Sequence, residues 1–156
     1  LWDGLGALVI INPDIKYLFG KVTMYPQFNP EARDLLMYFM LTYFPDHKKL
    51  VKPLDHLNLD YKTDISKYIG LFDGLSYKDG YKLLNKHIRE LGENIPPLIN
   101  TYMNLSPTMM TFGTALNDEF GEVEETGILI TLDDIYLPKK ERHITTYERD
   151  KFYKEQ

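Results

Sequence analysis

The chain has no cysteine in its 156 residues. That excludes disulfides, a thiolate nucleophile and zinc–thiolate ligation together. Long apolar runs are also missing. The longest, residues 5–11, is interrupted by Gly6 and stopped by Asn12-Pro13, well short of the roughly 18–20 residues of a membrane-spanning helix. No signal-peptide pattern is visible. Basic charge is in deficit: 18 Lys and Arg face 23 Asp and Glu, for a net charge of −5. Such a chain has no electrostatic footprint for nucleic acid, and its overall charge opposes adsorption to anionic lipid. The G-x-S-x-G, G-x-x-x-x-G-K-[ST] and H-E-x-x-H signatures are absent. The four histidines, His47, His56, His87 and His143, are scattered, with no i, i+4 pair, so no metal site is expected.

What is present is ordinary globular material, 44% hydrophobic and 26% charged, with 12 Tyr and 8 Phe. The length allows one domain. Its aromatics can build a core or line an apolar cleft, and the core is the better default. Helical spacing covers 1–11. Residues 17–25 alternate, with Leu18, Gly20, Val22 and Met24 on one side. Both sides are largely apolar, which predicts an interior strand. Asn29-Pro30 caps and opens a helix over 30–44. Residues 45–60 read as irregular and polar, with an extended piece near 50–54, and 63–70 as a short helix. Ser76 and Asp79 form a capping box for a helix over 77–91, closed by Gly92. Pro96-Pro97 opens a helix through 105. Residues 108–116 and 122–132 form a hairpin about the turn 117–121. This order predicts an α/β domain, 1–144, with an insert at about 45–75 and a charged tail at 145–156. The sheet is expected to be partly parallel, with the hairpin at its edge. The chain opens without Met inside a helix and reads as a fragment.

Few residues advertise chemistry. Gly4-Leu5-Gly6 beside a helix reads more readily as close packing than as phosphate binding. His56 and Asp60 have an H-x-x-x-D spacing, one residue short of the glycerol-phosphate acyltransferase pattern; a solvated loop histidine is the simpler reading. Asp118, Glu119, Glu122, Glu124 and Glu125 cluster about the hairpin turn. They read first as a solvated, edge-protecting turn and second as a surface for a cationic amine. Lys139, Lys140, Arg142 and His143 form the opposite patch, which reads first as ordinary surface and second as a contact for an acidic carrier protein.

Three stretches carry a resemblance. Leu1-Trp2-Asp3-Gly4-Leu5 runs through Asn12-Pro13 into Tyr17-Leu18-Phe19-Gly20-Lys21-Val22. Pro96-Pro97-Leu98-Ile99 opens the second, which continues to Leu105. Asn117-Asp118-Glu119-Phe120-Gly121 precedes the strand at 127–132. In order and spacing these resemble the ornithine/glycine lipid N-acyltransferases of the GNAT superfamily, whose members also carry a hemolysin label. The resemblance spans about 1–143. It implies a GNAT-like fold and transfer of a 3-hydroxy fatty acyl group from acyl carrier protein or CoA to the amino group of an amino acid. The acyl donor is a co-substrate, and no cofactor is tightly bound. The product would enter aminolipid synthesis, in the cytoplasm or at the inner face of the membrane. In that fold two parallel strands splay and the pantetheine arm lies between them; 17–25 resembles the second. Phe19, Gly20, Val22, Met24, Tyr25 and Tyr102 are then expected at the acyl and pantetheine site, with Tyr38, Phe39 and Phe112 as further trough candidates. Asp118, Phe120 and Glu124 are expected on the acceptor side. The general base and the phosphate-holding loop are expected upstream of Leu1. A non-catalytic carrier- or lipid-binding module and an acetyl-CoA-dependent transferase remain the alternatives.

Overall fold

The protein is described here by a computed structural model, which describes residues 2–145. In chain order it comprises α1 (Trp2–Ile11), β1 (Tyr17–Met24), α2 (Pro30–Tyr43), β2 (Asn58–Leu59), α3 (Tyr77–Glu90), α4 (Pro97–Met103), β3 (Met110–Asn117), β4 (Val123–Thr131) and α5 (Leu137–Lys140). Single 3-10 turns lie at Ser66–Tyr68 and Leu132–Asp134, and a π-helical turn, Glu141–Thr145, follows α5.

α2 is the spine. The Asn29 side chain accepts hydrogen bonds from the backbone N–H groups of Glu31 (2.9 Å) and Ala32 (3.2 Å), and Pro30 occupies the first turn. Leu35, Leu36, Phe39 and Met40 are at most 1% exposed, because this stripe lies against the sheet and α3. α3 starts as the capping box predicts. The Ser76 hydroxyl accepts from the Asp79 N–H at 3.2 Å, and Ser76 Oγ donates back to Asp79 Oδ2 at 2.8 Å. α3 is closed just beyond its last turn by Gly92, whose φ of +80° is the left-handed geometry that glycine tolerates. Where α3 meets α2, Gly80 faces the Tyr43 ring. A Cβ there would come within 2.1 Å of the Tyr43 hydroxyl. Tyr43 cannot swing away freely, since its ring lies 4.6 Å from Phe39 and 5.7 Å from Tyr77.

The sheet order is β1-β4-β3-β2, and every pairing in it is antiparallel. This corrects two expectations. The sheet is not partly parallel; the one parallel contact among the described residues is an isolated bridge between Pro45 and Thr111. The hairpin strands β3 and β4 are interior, and among the described residues β1 is the outermost strand. The physical reason is that alternation reports which face a residue occupies, not what lies beside its backbone. The facial reading does hold: Val22 and Met24 are buried while Tyr17, Phe19 and Tyr25 are exposed. A bulge between Thr111 and Thr114 gives β3 one extra residue against Thr126–Ile128 of β4 and turns both threonines to the buried side.

The 45–75 region is irregular, as expected, but its only strand is at 58–59, not near 50–54, and 63–70 yields a single 3-10 turn. Here backbone groups are satisfied by side chains and isolated turns. Gly6 has the packing role: its Cβ would meet the His143 carbonyl oxygen at 2.2 Å, so α1 and the π-helical turn touch through backbone. Beyond Thr145, the charged tail expected at 145–156 lies outside the described residues.

The α2–α3 contact leads to a direct prediction. Gly80→Ala should lower unfolding free energy by about 1–3 kcal/mol through overpacking against Tyr43, read by urea denaturation. Unchanged stability would mean that the two helices are not held at this distance.

Candidate functional site

β1 ends at Met24, and the chain turns at once. The Phe28 N–H donates to the Tyr25 carbonyl at 3.0 Å, which closes a tight turn and delivers Asn29 to the start of α2. A second segment is clipped to the same corner. The Asn29 N–H donates to Glu93 Oε1 at 2.9 Å, and the Asn29 amide donates to the Leu91 carbonyl at 3.4 Å. Glu93 is presented by the end of α3, where its N–H reaches the Ile88 carbonyl. Pro96 and Pro97 then stiffen the entry to α4. Between these walls lies an open groove of about 540 Å³ lined by Thr23, Met24, Tyr25, Gln27, Phe28, Glu93, Pro96, Pro97 and Leu98. Apolar carbon makes most of the lining, and Thr23, Gln27 and Glu93 supply the polar atoms.

The groove opens beside the free edge of β1. Among the described residues no strand pairs with that edge. The hairpin turn 118–122 is at the same end of the sheet, because Met24 stands opposite Glu124 in the register.

The expected site residues divide accordingly. Met24 and Tyr25 line the groove. Phe19 is exposed on the sheet face away from α2, with its ring 5.8 Å from that of Phe112. Gly20 has open space where a Cβ would sit. Val22 is in the core at 1% exposure. Tyr102 is half-buried on α4 and does not line the groove; burial raises its hydroxyl pKa. Phe39 belongs to the core, edge-on to Phe72 at 5.1 Å. Tyr38 is half-buried against that core, and its hydroxyl accepts the Gly70 N–H. Asp118 and Phe120 stand exposed on the turn, as expected of a solvated acidic cluster.

Glu124 does not join them on that surface. It is buried, and its Oε2 accepts from Arg33 Nε at 2.6 Å while its Oε1 pairs with Lys62. Glu125 is tied to Lys21 at 2.6 Å. The sequence reading missed the cluster that results. Arg33, itself 2% exposed, also donates through Nη1 to Asp34 Oδ1 (2.6 Å) and to the Asp60 carbonyl (2.8 Å). Asp34 Oδ2 accepts from the Lys62 N–H, the Thr63 N–H and the Thr63 hydroxyl at 2.7–2.8 Å. Two cations face two carboxylates. The balance matters because an uncompensated buried charge is costly. The available signal was Arg33-Asp34 set between Ala32 and Leu35 on an otherwise apolar helix stripe. Among the described residues no group of three His, Asp or Glu side chains is placed to hold a metal ion.

Neither a protein-family profile nor a solved structure matches the chain. Two curated proteins do. The chain is 53% identical over 147 residues to the glycine N(alpha)-acyltransferase of Bacteroides thetaiotaomicron. Over nearly its whole length, it is similar to an acyltransferase. Against the protein of the same name from Phocaeicola vulgatus it is 51% identical over 147 residues. Each alignment takes up 94% of this chain but only 43% or 44% of the relative. The chain therefore spans less than half the length of the curated relatives it matches.

For the ion cluster, Glu124→Gln keeps the shape and leaves Arg33 and Lys62 short of one counter-charge. Unfolding free energy should fall by about 3–5 kcal/mol, measured by chemical denaturation. A variant as stable as the parent would show that the cluster contributes nothing to holding β4 on α2.

Proposed function

We propose that this chain forms part of an N-acyltransferase that moves a fatty acyl group onto the α-amino group of a small amino acid, glycine first among the acceptors. The observation that carries the reading is the 147-residue likeness to two glycine N(alpha)-acyltransferases. The donor is a 3-hydroxy fatty acyl thioester on acyl carrier protein or CoA, and the product is an N-acyl amino acid for aminolipid synthesis. The fold is the GNAT-like one of the resemblance, with β1 as one wall of the gap that takes the pantetheine arm.

The reaction is an aminolysis of a thioester. The neutral amine attacks the thioester carbonyl, a C–N bond forms, the C–S bond breaks and the thiol leaves. A base must take the amine proton, and donors must steady the oxyanion. No covalent enzyme intermediate is needed, which suits a chain without cysteine. Outward backbone groups on the free edge of β1 can hold an extended pantetheine arm. The neighbouring groove offers a dry wall for the acyl tail through Met24, Tyr25, Phe28 and Leu98. Its volume of about 540 Å³ falls among pockets of roughly 300–1,000 Å³ that take sizeable ligands, more than an acetyl group requires. The exposed Asp118 at the same end of the sheet is assigned to the approach of the cationic acceptor. The patch containing Lys139 and Lys140 is assigned to the acidic carrier.

The reading is tested by thiol release from 3-hydroxypalmitoyl carrier protein, using the full chain and a panel of amino acids. Release should depend on glycine. Release without any acceptor dependence, or only from acetyl-CoA, would overturn it. Leu98→Trp, which narrows the groove, should raise KM for a long-chain donor by about tenfold and spare a short-chain donor. An equal effect on both donors would remove the groove from the acyl path.

A further inference from the structure

We propose that the loop following α2, residues 46–56, is a docking element for the anionic surface of a phospholipid bilayer. Lys48, Lys49 and Lys52 alternate with Leu50, Val51 and Leu54. The three aliphatic side chains are 53%, 43% and 64% exposed. Three lysines against Asp46 and Asp55 leave one positive charge over 46–56, on a chain whose net charge is −5. Asp55 lies 3.2 Å from Lys52, an exposed pair that holds neither charge away from a competing anion.

The loop is built to present these groups. Asp46 organises it from within: Oδ1 accepts the Lys48 N–H at 3.1 Å, and Oδ2 accepts the N–H groups of Leu50 (2.6 Å) and Val51 (3.3 Å). Lys49 takes a φ of +52°, the reversal that turns the chain back. Pro53 seats the far end on β3, so close that a Cβ on Gly113 would come within 2.6 Å of it. The aliphatics are thus held in water by an ordered scaffold.

Single exposed apolar residues are unremarkable. Three of them interleaved with lysines in one short turn match a bilayer boundary. The ammonium groups can stay at phosphate level on their long stems while Leu50, Val51 and Leu54 enter the acyl region. An acidic protein would satisfy the lysines but would leave the leucines without a matching apolar receptor. The earlier objection from net charge applies to the molecule as a whole; here the sign is reversed locally. This inference does not rest on the acyltransferase reading, since its test measures binding and not turnover.

The experiment is sedimentation of the full chain with phosphatidylglycerol–phosphatidylcholine vesicles and with phosphatidylcholine vesicles alone. Binding to the anionic vesicles that weakens with salt is expected, with little to the neutral ones. Replacing all three lysines (Lys48→Gln, Lys49→Gln, Lys52→Gln) should lower partitioning by about a hundredfold, at roughly fivefold per lysine. Replacing the aliphatics (Leu50→Asn, Val51→Asn, Leu54→Asn) should reduce binding even at low salt, with circular dichroism and melting temperature unchanged. Failure of the parent protein to bind anionic vesicles overturns the proposal. So does parental binding by the aliphatic triple variant. Binding of acyl carrier protein through these lysines, without vesicle binding, also overturns it and makes the loop a protein-docking surface.

Discussion

Arg33 places a guanidinium at the meeting point of three segments far apart in the chain. Its own helix supplies Asp34, the irregular region supplies the Asp60 carbonyl, and β4 supplies Glu124. None of these contacts is exchangeable for water, because the arginine and both carboxylates are at most 4% exposed. Once α2 folds with Arg33 inward, β4 must bring a carboxylate to it. The 60–63 stretch must likewise fold over Asp34, whose second oxygen holds two backbone N–H groups there. The position of β4 then sets the positions of β1 and the hairpin turn, since the three share one register. An apolar cluster at this junction would bury as much area, but the fixed directions of a planar guanidinium also select one arrangement.

What this arrangement leaves open is one corner of the molecule. The free edge of β1, the groove behind Tyr25 and the exposed turn at Asp118–Phe120 all lie at one end of the sheet. The corner is stiff for local reasons: Asn29 caps α2 and also holds the 91–93 segment, and two prolines follow. A preformed groove suits the proposed transfer, because such a reaction gains from holding both partners in place.

The sequence was legible wherever structure is local. The Asn29 and Ser76 caps, the Gly92 stop and the hairpin turn are written in a few adjacent residues, and those boundaries fall within two residues of expectation. The alternation in β1 correctly gave its two faces. It could not tell an edge from an interior position, because that depends on partners over a hundred residues away. Pairing between β1 and β4 joins Tyr17 to Thr131, and nothing in the strand itself encodes it. The candidate site was legible in part for the same reason. Met24 and Tyr25 fell in the groove, while Glu124, which looked like one more turn carboxylate, is buried because its partner is on α2. In the groove's other wall, the 96–98 stretch was legible through its resemblance, but nothing local placed it or Glu93 beside Tyr25.

The proposed transfer stands or falls with an acyl chain in the groove at the end of β1. The most direct measurement uses a fatty acyl thioester with a photoreactive diazirine near its tail, bound to the full chain, irradiated and mapped by peptide mass spectrometry. Labelling of Tyr25, Phe28 and Leu98 is expected, suppressed by excess unlabelled donor. Competed labelling elsewhere, with these residues untouched, would contradict it.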